Sequence, residues 1–197
     1  MSDVSRRTLL RNVAVAALAG GVAVADAQHV HDVSAADATK AGGVYKPKLF
    51  NAHEWASLRR LCDLIFPADE RSKGALDAGA PEFIDLLASH NDELAAIYTG
   101  GLAWLDNAMR ARHNAAFVDA KPDQQTALLD TIAYRKNATS DMAAGVRFFD
   151  FVRKMTADAY YTSKAGVADL GFMGNKGMTK FEVPVEAIQY ALKRSGL

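Results

Sequence analysis

The 197-residue chain contains one cysteine, Cys62. A lone thiol excludes an intrachain disulfide, a CxxC redox pair, a CxxCH haem-attachment site and an iron–sulfur cluster ligated by this chain alone. Charge of one sign is missing too. The 23 basic residues balance 23 acidic ones, so the totals carry no general drive toward nucleic acid, and no nucleic-acid partner is expected. No alternation of apolar and polar residues is long enough for a sheet, and no internal repeat or low-complexity tract is evident. The N-terminal apolar run, Val13 to Ala25, is 13 residues, short of the roughly 20 that a bilayer-spanning helix needs.

Catalytic motifs are likewise incomplete. His53-Glu54 opens an HExxH pattern, but Ser57 stands where the second histidine belongs. A ferritin-like di-iron bundle needs Glu-x-x-His, and Leu87 and Arg110 precede His90 and His113 at that offset. No G-x-S-x-G elbow places a nucleophile. Lys176 is followed by Gly177 rather than Ser or Thr, so the phosphate-loop pattern fails, as does the dinucleotide G-x-G fingerprint. His29, His31 and Asp32 form a weak metal-binding candidate whose plainer reading is solvated polar residues. Cys62 falls on the apolar side of its helix and reads as a small, inert hydrophobe.

What is present begins with an address. Ser5-Arg6-Arg7-Thr8-Leu9-Leu10-Arg11, the Ala/Gly-rich apolar run and Ala25-Asp26-Ala27 read as a twin-arginine (Tat) leader over residues 1–27, cleaved after Ala27. Cleavage removes three arginines and two aspartates and leaves a net charge of −1. The expected location is the periplasm, with partners providing any association with the inner membrane. Because that route carries folded cargo, the Tat translocon is an expected partner.

Residues 28–48 show no sustained period and are expected to form a flexible linker. Residues 49–197 are expected to fold as one all-α, single-domain helical bundle, since the mature chain is long enough to bury its own core. Asn51 and Glu54 form a capping-box pair ahead of Trp55, Leu58, Leu61, Cys62 and Ile65. Pro81 opens a second helix, and Leu94 to Met109 a longer one through Gly100-Gly101. That glycine pair reads as a local weakness, a kink or a site of close backbone approach. Pro122 opens another helix, and Ser140 caps a fifth. From Met142 to Ala159 large apolar groups occupy both faces, which predicts the central helix of the bundle. Val185, Ile188 and Leu192 after Pro184 predict a short C-terminal helix.

Four of the 14 glycines lie between Gly166 and Gly177, in a segment starting at Tyr160. It reads as a long glycine- and aromatic-rich loop. One reading is an Ω-like loop packed on its own domain; the other is a docking surface presenting Tyr160, Tyr161, Phe172 and Met173.

Four features together resemble the gluconate 2-dehydrogenase subunit 3 family. They are the leader, Leu64-Ile65-Phe66-Pro67-Ala68-Asp69, Gln124-Gln125 before Leu128-Leu129, and Phe148-Phe149 leading to Tyr161-Thr162-Ser163-x-x-Gly166-x-x-Asp169-Leu170-Gly171-Phe172-x-Gly174-Asn175. The resemblance implies a small subunit with no catalytic residue, cofactor or metal of its own. Its partner would be an FAD-dependent catalytic subunit of the glucose–methanol–choline type, often with a c-type cytochrome carrying haem c. It also implies that the chain helps the flavoprotein fold, stay soluble and be exported on the Tat leader. The expected partner-binding residues are Tyr160, Tyr161, Thr162, Ser163, Gly166, Asp169, Leu170, Gly171, Phe172, Gly174 and Asn175, and this segment could edge the substrate pocket. Two alternatives stay open: a stand-alone periplasmic enzyme or metal protein using His53, His90 or His113, and an export chaperone that dissociates afterwards.

Overall fold

A computed structural model describes residues 6–18, 24–134, 136, 139–171 and 183–195. The described residues form α1 (Arg6–Leu18), α2 (Val24–Lys40), α3 (Ala52–Ile65), α4 (Ala80–Ala88), α5 (Asp92–His113), α6 (Pro122–Ala133), α7 (Ala143–Thr162), α8 (Lys164–Asp169) and α9 (Val185–Ser195), with no strand among them. No helix among them is long and apolar enough to cross a membrane.

Local chemistry sets the helix ends. Asn51 Oδ1 accepts from the His53 and Glu54 N–H groups at 3.0 Å each, and Glu54 accepts from Asn51 N–H at 3.0 Å, completing the capping box. Asn91 caps α5 through Leu94 N–H at 2.9 Å, and the helix stops where Asn114 turns left-handed at φ 54°. Gly79, at φ 72°, delivers the chain into α4, with Pro81 in its first turn. Ser140 starts a 3-10 turn, and α7 itself begins three residues later.

α4 and α7 form the centre. Every α4 residue except Glu82 is buried, and α1, α2, α3, α5 and α7 all pack against it. α7 packs against α2 to α6 and α8, as its all-round apolar character predicts. α5 and α7 run antiparallel. Phe148 lies over Gly101, and Trp104 over Gly145. The Gly100-Gly101 pair therefore neither breaks α5 nor receives a backbone: Gly101 is a socket for an aromatic ring.

The expected linker over 28–48 is instead largely helical. α2 packs on α4 and α7, burying Ala27, Val30 and Ser34. That stripe is helical in period but made of small and polar groups, so hydropathy does not reveal it. His31 continues it, its ring 4.9 Å from that of Phe83 and its Nε2 hydrogen-bonded with Thr162 Oγ1 at 3.2 Å. His29 and His31 thus belong to a packed helix rather than to a solvated tail. Beyond α2, Tyr45 and Phe50 are buried as well.

Burial holds the His31 pKa below its ordinary 6.5, against smaller opposing contributions from the Ala159 backbone and Asp32. The unfolded chain therefore takes up a proton that the folded chain resists. The stability from neutral His31 is complete above about pH 6.5 and is lost as pH falls toward the lowered folded value. Between pH 7.5 and 5.0 the melting temperature should fall more steeply in the wild type than in His31→Gln. Parallel decline of the two would refute the assignment.

Candidate partner interface

Over its described residues, 160–171, the segment expected to be a glycine-rich loop is mostly helix. Tyr160, Tyr161 and Thr162 form the last turn of α7, and Ser163 caps α8. Ser163 Oγ donates to Tyr160 O at 2.7 Å and accepts from Gly166 N–H at 3.1 Å. A Cβ on Gly166 would lie 2.1 Å from Tyr160 O. Only glycine lets the first turn of α8 cross so close to the end of α7. Gly171 follows at φ 60°, and Phe172, Gly174 and Asn175 lie outside the described residues.

The aromatic residues of this corner play different parts. Tyr160 is buried and stacks on Phe66, ring centroids 5.1 Å apart. Tyr161 meets the edges of both rings, 5.7 Å from Phe66 and 5.0 Å from Tyr160, and keeps 39% of its surface exposed. The stack fixes Tyr161 in place, so its free face is a preformed contact area with little side-chain entropy left to lose. Leu170, 60% exposed, stands just beyond α8 near exposed Asp169.

A second segment braces the stack from below. Asp69 Oδ1 accepts from the N–H groups of Arg71 and Ser72 at 2.8 and 2.7 Å, and from Ser72 Oγ at 3.1 Å. These bonds, the Ser72 N–H first, hold the Asp69 carboxyl below the usual carboxylate range. Gly74 lets the turn fold back: a Cβ there would sit 2.6 Å from Ala68 N, and Ala75 N–H donates to Phe66 O at 2.8 Å. Ser72 and Asp169 both reach the Tyr160 hydroxyl, tying this turn to α8. Between the turn and α8 lies an open cavity of about 460 Å³ edged by Arg71, Lys73, Asp77, Lys164 and Asp169. Spacing alone left Arg71, Ser72 and Lys164 unremarked, although Asp-x-x-Ser is an Asx-turn signal.

The structure thus divides the sequence-expected interface. Tyr161, Asp169 and Leu170 are accessible, whereas Tyr160, Thr162, Ser163 and Gly166 are buried and shape the corner. Arg6 and Arg7 open α1.

A neighbouring cavity of about 360 Å³ between α2 and the start of α8 is lined by His31, Asp32, Tyr45, Glu82, Ser163 and Lys164 among others. Glu82 Oε1 accepts from Arg59 at 3.1 Å, while its other oxygen is buried without a hydrogen-bond partner among the described residues. Desolvation raises its pKa. No group of three His, Cys, Asp or Glu side chains among the described residues is placed to hold a metal.

The histidines considered for catalysis have structural partners or face solvent. His53 Nε2 lies 2.6 Å from Asp106 Oδ2, whose carboxyl also accepts from Arg110 and from Phe117 N–H. His90 Nδ1 lies 2.9 Å from Leu86 O, and His113 is exposed at the end of α5. Cys62 is fully buried beside Thr156, and desolvation pushes its thiol up to about 12, which keeps it protonated and unreactive.

No curated protein sequence and no solved structure gives a significant match. A family model, gluconate 2-dehydrogenase subunit 3, matches residues 52–178. That span runs from the first residue of α3, through the Phe66 turn, past the α7–α8 corner. With the match covering well over half of the chain and all of the central helices α3 to α8, the protein belongs to the gluconate 2-dehydrogenase subunit 3 family.

Proposed function

We propose that this chain is the non-catalytic small subunit of a periplasmic, flavin-dependent sugar or polyol dehydrogenase, and that it holds the catalytic subunit through the α7–α8 corner. The observation that carries this reading is Tyr161, half-exposed on a rigid three-ring stack, in a chain whose family is named as a subunit of a dehydrogenase. A flavin in the partner, with haem c in any accompanying cytochrome, would supply the redox chemistry. This chain would supply a docking face and, through Arg6 and Arg7, a Tat address that carries the folded pair outward.

The test is a pull-down of the C-terminally tagged mature form from periplasm, followed by an absorbance scan for flavin. A large yellow subunit should be recovered with the chain, and its continued presence in active enzyme separates a resident subunit from a dissociating chaperone. Tyr161→Ala with Asp169→Ala should lower its recovery by about tenfold or more, the loss expected of an anchoring aromatic, while far-UV circular dichroism stays unchanged. Undiminished recovery would count against the corner. Sugar oxidation by the chain alone would end the non-catalytic reading.

Export is tested separately. Replacing Arg6 and Arg7 together by Lys should strand the protein in the cytoplasm, and normal periplasmic recovery of that variant would refute the Tat assignment.

A further inference from the structure

The leader helix does not stand apart from the domain. α1 buries Leu10, Val13, Ala14 and Ala17, one face at i, i+3, i+4 and i+7, against α4 and α2. Arg11 edges an open cavity shared with Asp92 and Glu93 of the first turn of α5, so a basic helix lies beside an acidic helix start. At its other end, Leu18 shares a small cavity with Phe151 and Met155 of α7.

The wall it covers cannot easily be left bare. α4 is apolar nearly all round and buried at every residue but one, so each of its sides needs a neighbour. The family match begins at residue 52, which places α4 and α7 in the shared body and α1 outside it. The groove therefore belongs to the family's domain, whereas its cover is this chain's own leader. A docked leader also has its apolar stripe hidden, and an export machine needs that stripe free.

We infer that α1 occupies the acceptor groove on α4 in the unloaded chain, and that an apolar, basic-tipped helix of the catalytic subunit displaces it on binding. Release of the leader then reports that the subunit is loaded, so the exported form is the complex. The incoming helix must satisfy the same requirements as α1: small or aliphatic side chains toward α4 and a cation toward Asp92 and Glu93. This inference rests on the small-subunit reading above.

The experiment uses the full chain and a labelled synthetic peptide of residues 6–18 as probe. In the free chain, amides of residues 8–18 should exchange at least tenfold more slowly than in Val13→Glu with Ala17→Glu, the difference between a docked and a free short helix. The wild type should take up no peptide, because its tethered α1 acts at an effective concentration in the millimolar range. The variant should bind the peptide saturably, and a peptide carrying Arg11→Glu about tenfold more weakly. Should the double variant fail to fold, Arg11→Glu in the full chain gives a milder release with the same exchange readout. In the complex isolated from the cytoplasm before export, with the leader uncut, residues 8–18 should lose protection while α4 keeps it. A cooperatively melting variant that binds no peptide would overturn the groove, and α1 amides that stay protected in the complex would overturn the displacement. Neither readout involves export, so failure of the Arg6 and Arg7 test leaves both results standing.

Discussion

Asp85→Ala should destabilise the domain by about 3–5 kcal/mol, a large share of the roughly 5–15 kcal/mol that holds a domain of this size together. Asp85 is fully buried in α4. Its carboxyl accepts from Tyr45 OH at 2.9 Å, Lys48 N–H at 2.8 Å, Leu49 N–H at 3.0 Å and Phe50 N–H at 3.4 Å. These bonds convert an irregular segment into a fixed strap that carries the chain from α2 to α3. Removing the acceptor leaves three backbone donors and a phenol unsatisfied, and an unmade buried hydrogen bond costs more than a made one contributes. Asp85→Asn keeps the shape but turns an amide toward these donors, so about 2–3 kcal/mol of loss is expected, against about 1 kcal/mol for Tyr45→Phe. Urea unfolding of the three variants checks the order. An Asp85→Ala protein within 1 kcal/mol of wild type would show that water satisfies the strap equally well.

The second large effect separates two adjacent glycines in α5. Gly101→Ala should cost about 2–3 kcal/mol, because its Cβ would lie 2.0 Å from the Phe148 ring, and that ring is buried with nowhere to turn. Gly100 has nothing within 4 Å of its Cβ position. Gly100→Ala should therefore stabilise by about 0.5–1 kcal/mol through helix propensity alone. Gly145→Ala falls between them. Its Cβ would meet Trp104 at 2.2 Å, but that indole is only partly buried and can swing outward. Thermal melts of the three single variants should rank Gly100→Ala above wild type and Gly101→Ala lowest. A Gly101→Ala protein as stable as Gly100→Ala would remove the socket from the α5–α7 contact.

Several features of the candidate interface were readable before any coordinates. The aromatic residues near 160 and the Phe66-Pro67-Ala68-Asp69 helix ending stand out as motifs, and the structure brings Phe66, Tyr160 and Tyr161 into one stack. Gly166 misled. Glycine density reads as loop because glycine disfavours helix by about 1 kcal/mol, yet Gly166 is helical because a crossing helix end leaves no room for a Cβ. Steric demand from a residue six positions earlier overrode propensity.

The division follows the range of the interactions. Capping residues and apolar periods act within a few positions of the bonds they govern, so the linear order of residues determined the all-helical class, the starts of α3, α4 and α6, and the central place of α7. Polar burial has no such local signature. Asp85 meets donors 35 to 40 positions away, Asp106 meets His53 across 53 positions, and His31 meets Thr162 across 131. Only the packed chain decided that these groups lie inside, that α2 is helix rather than linker, and that α1 rests on α4. Each depends on surfaces that exist only once distant helices have come together.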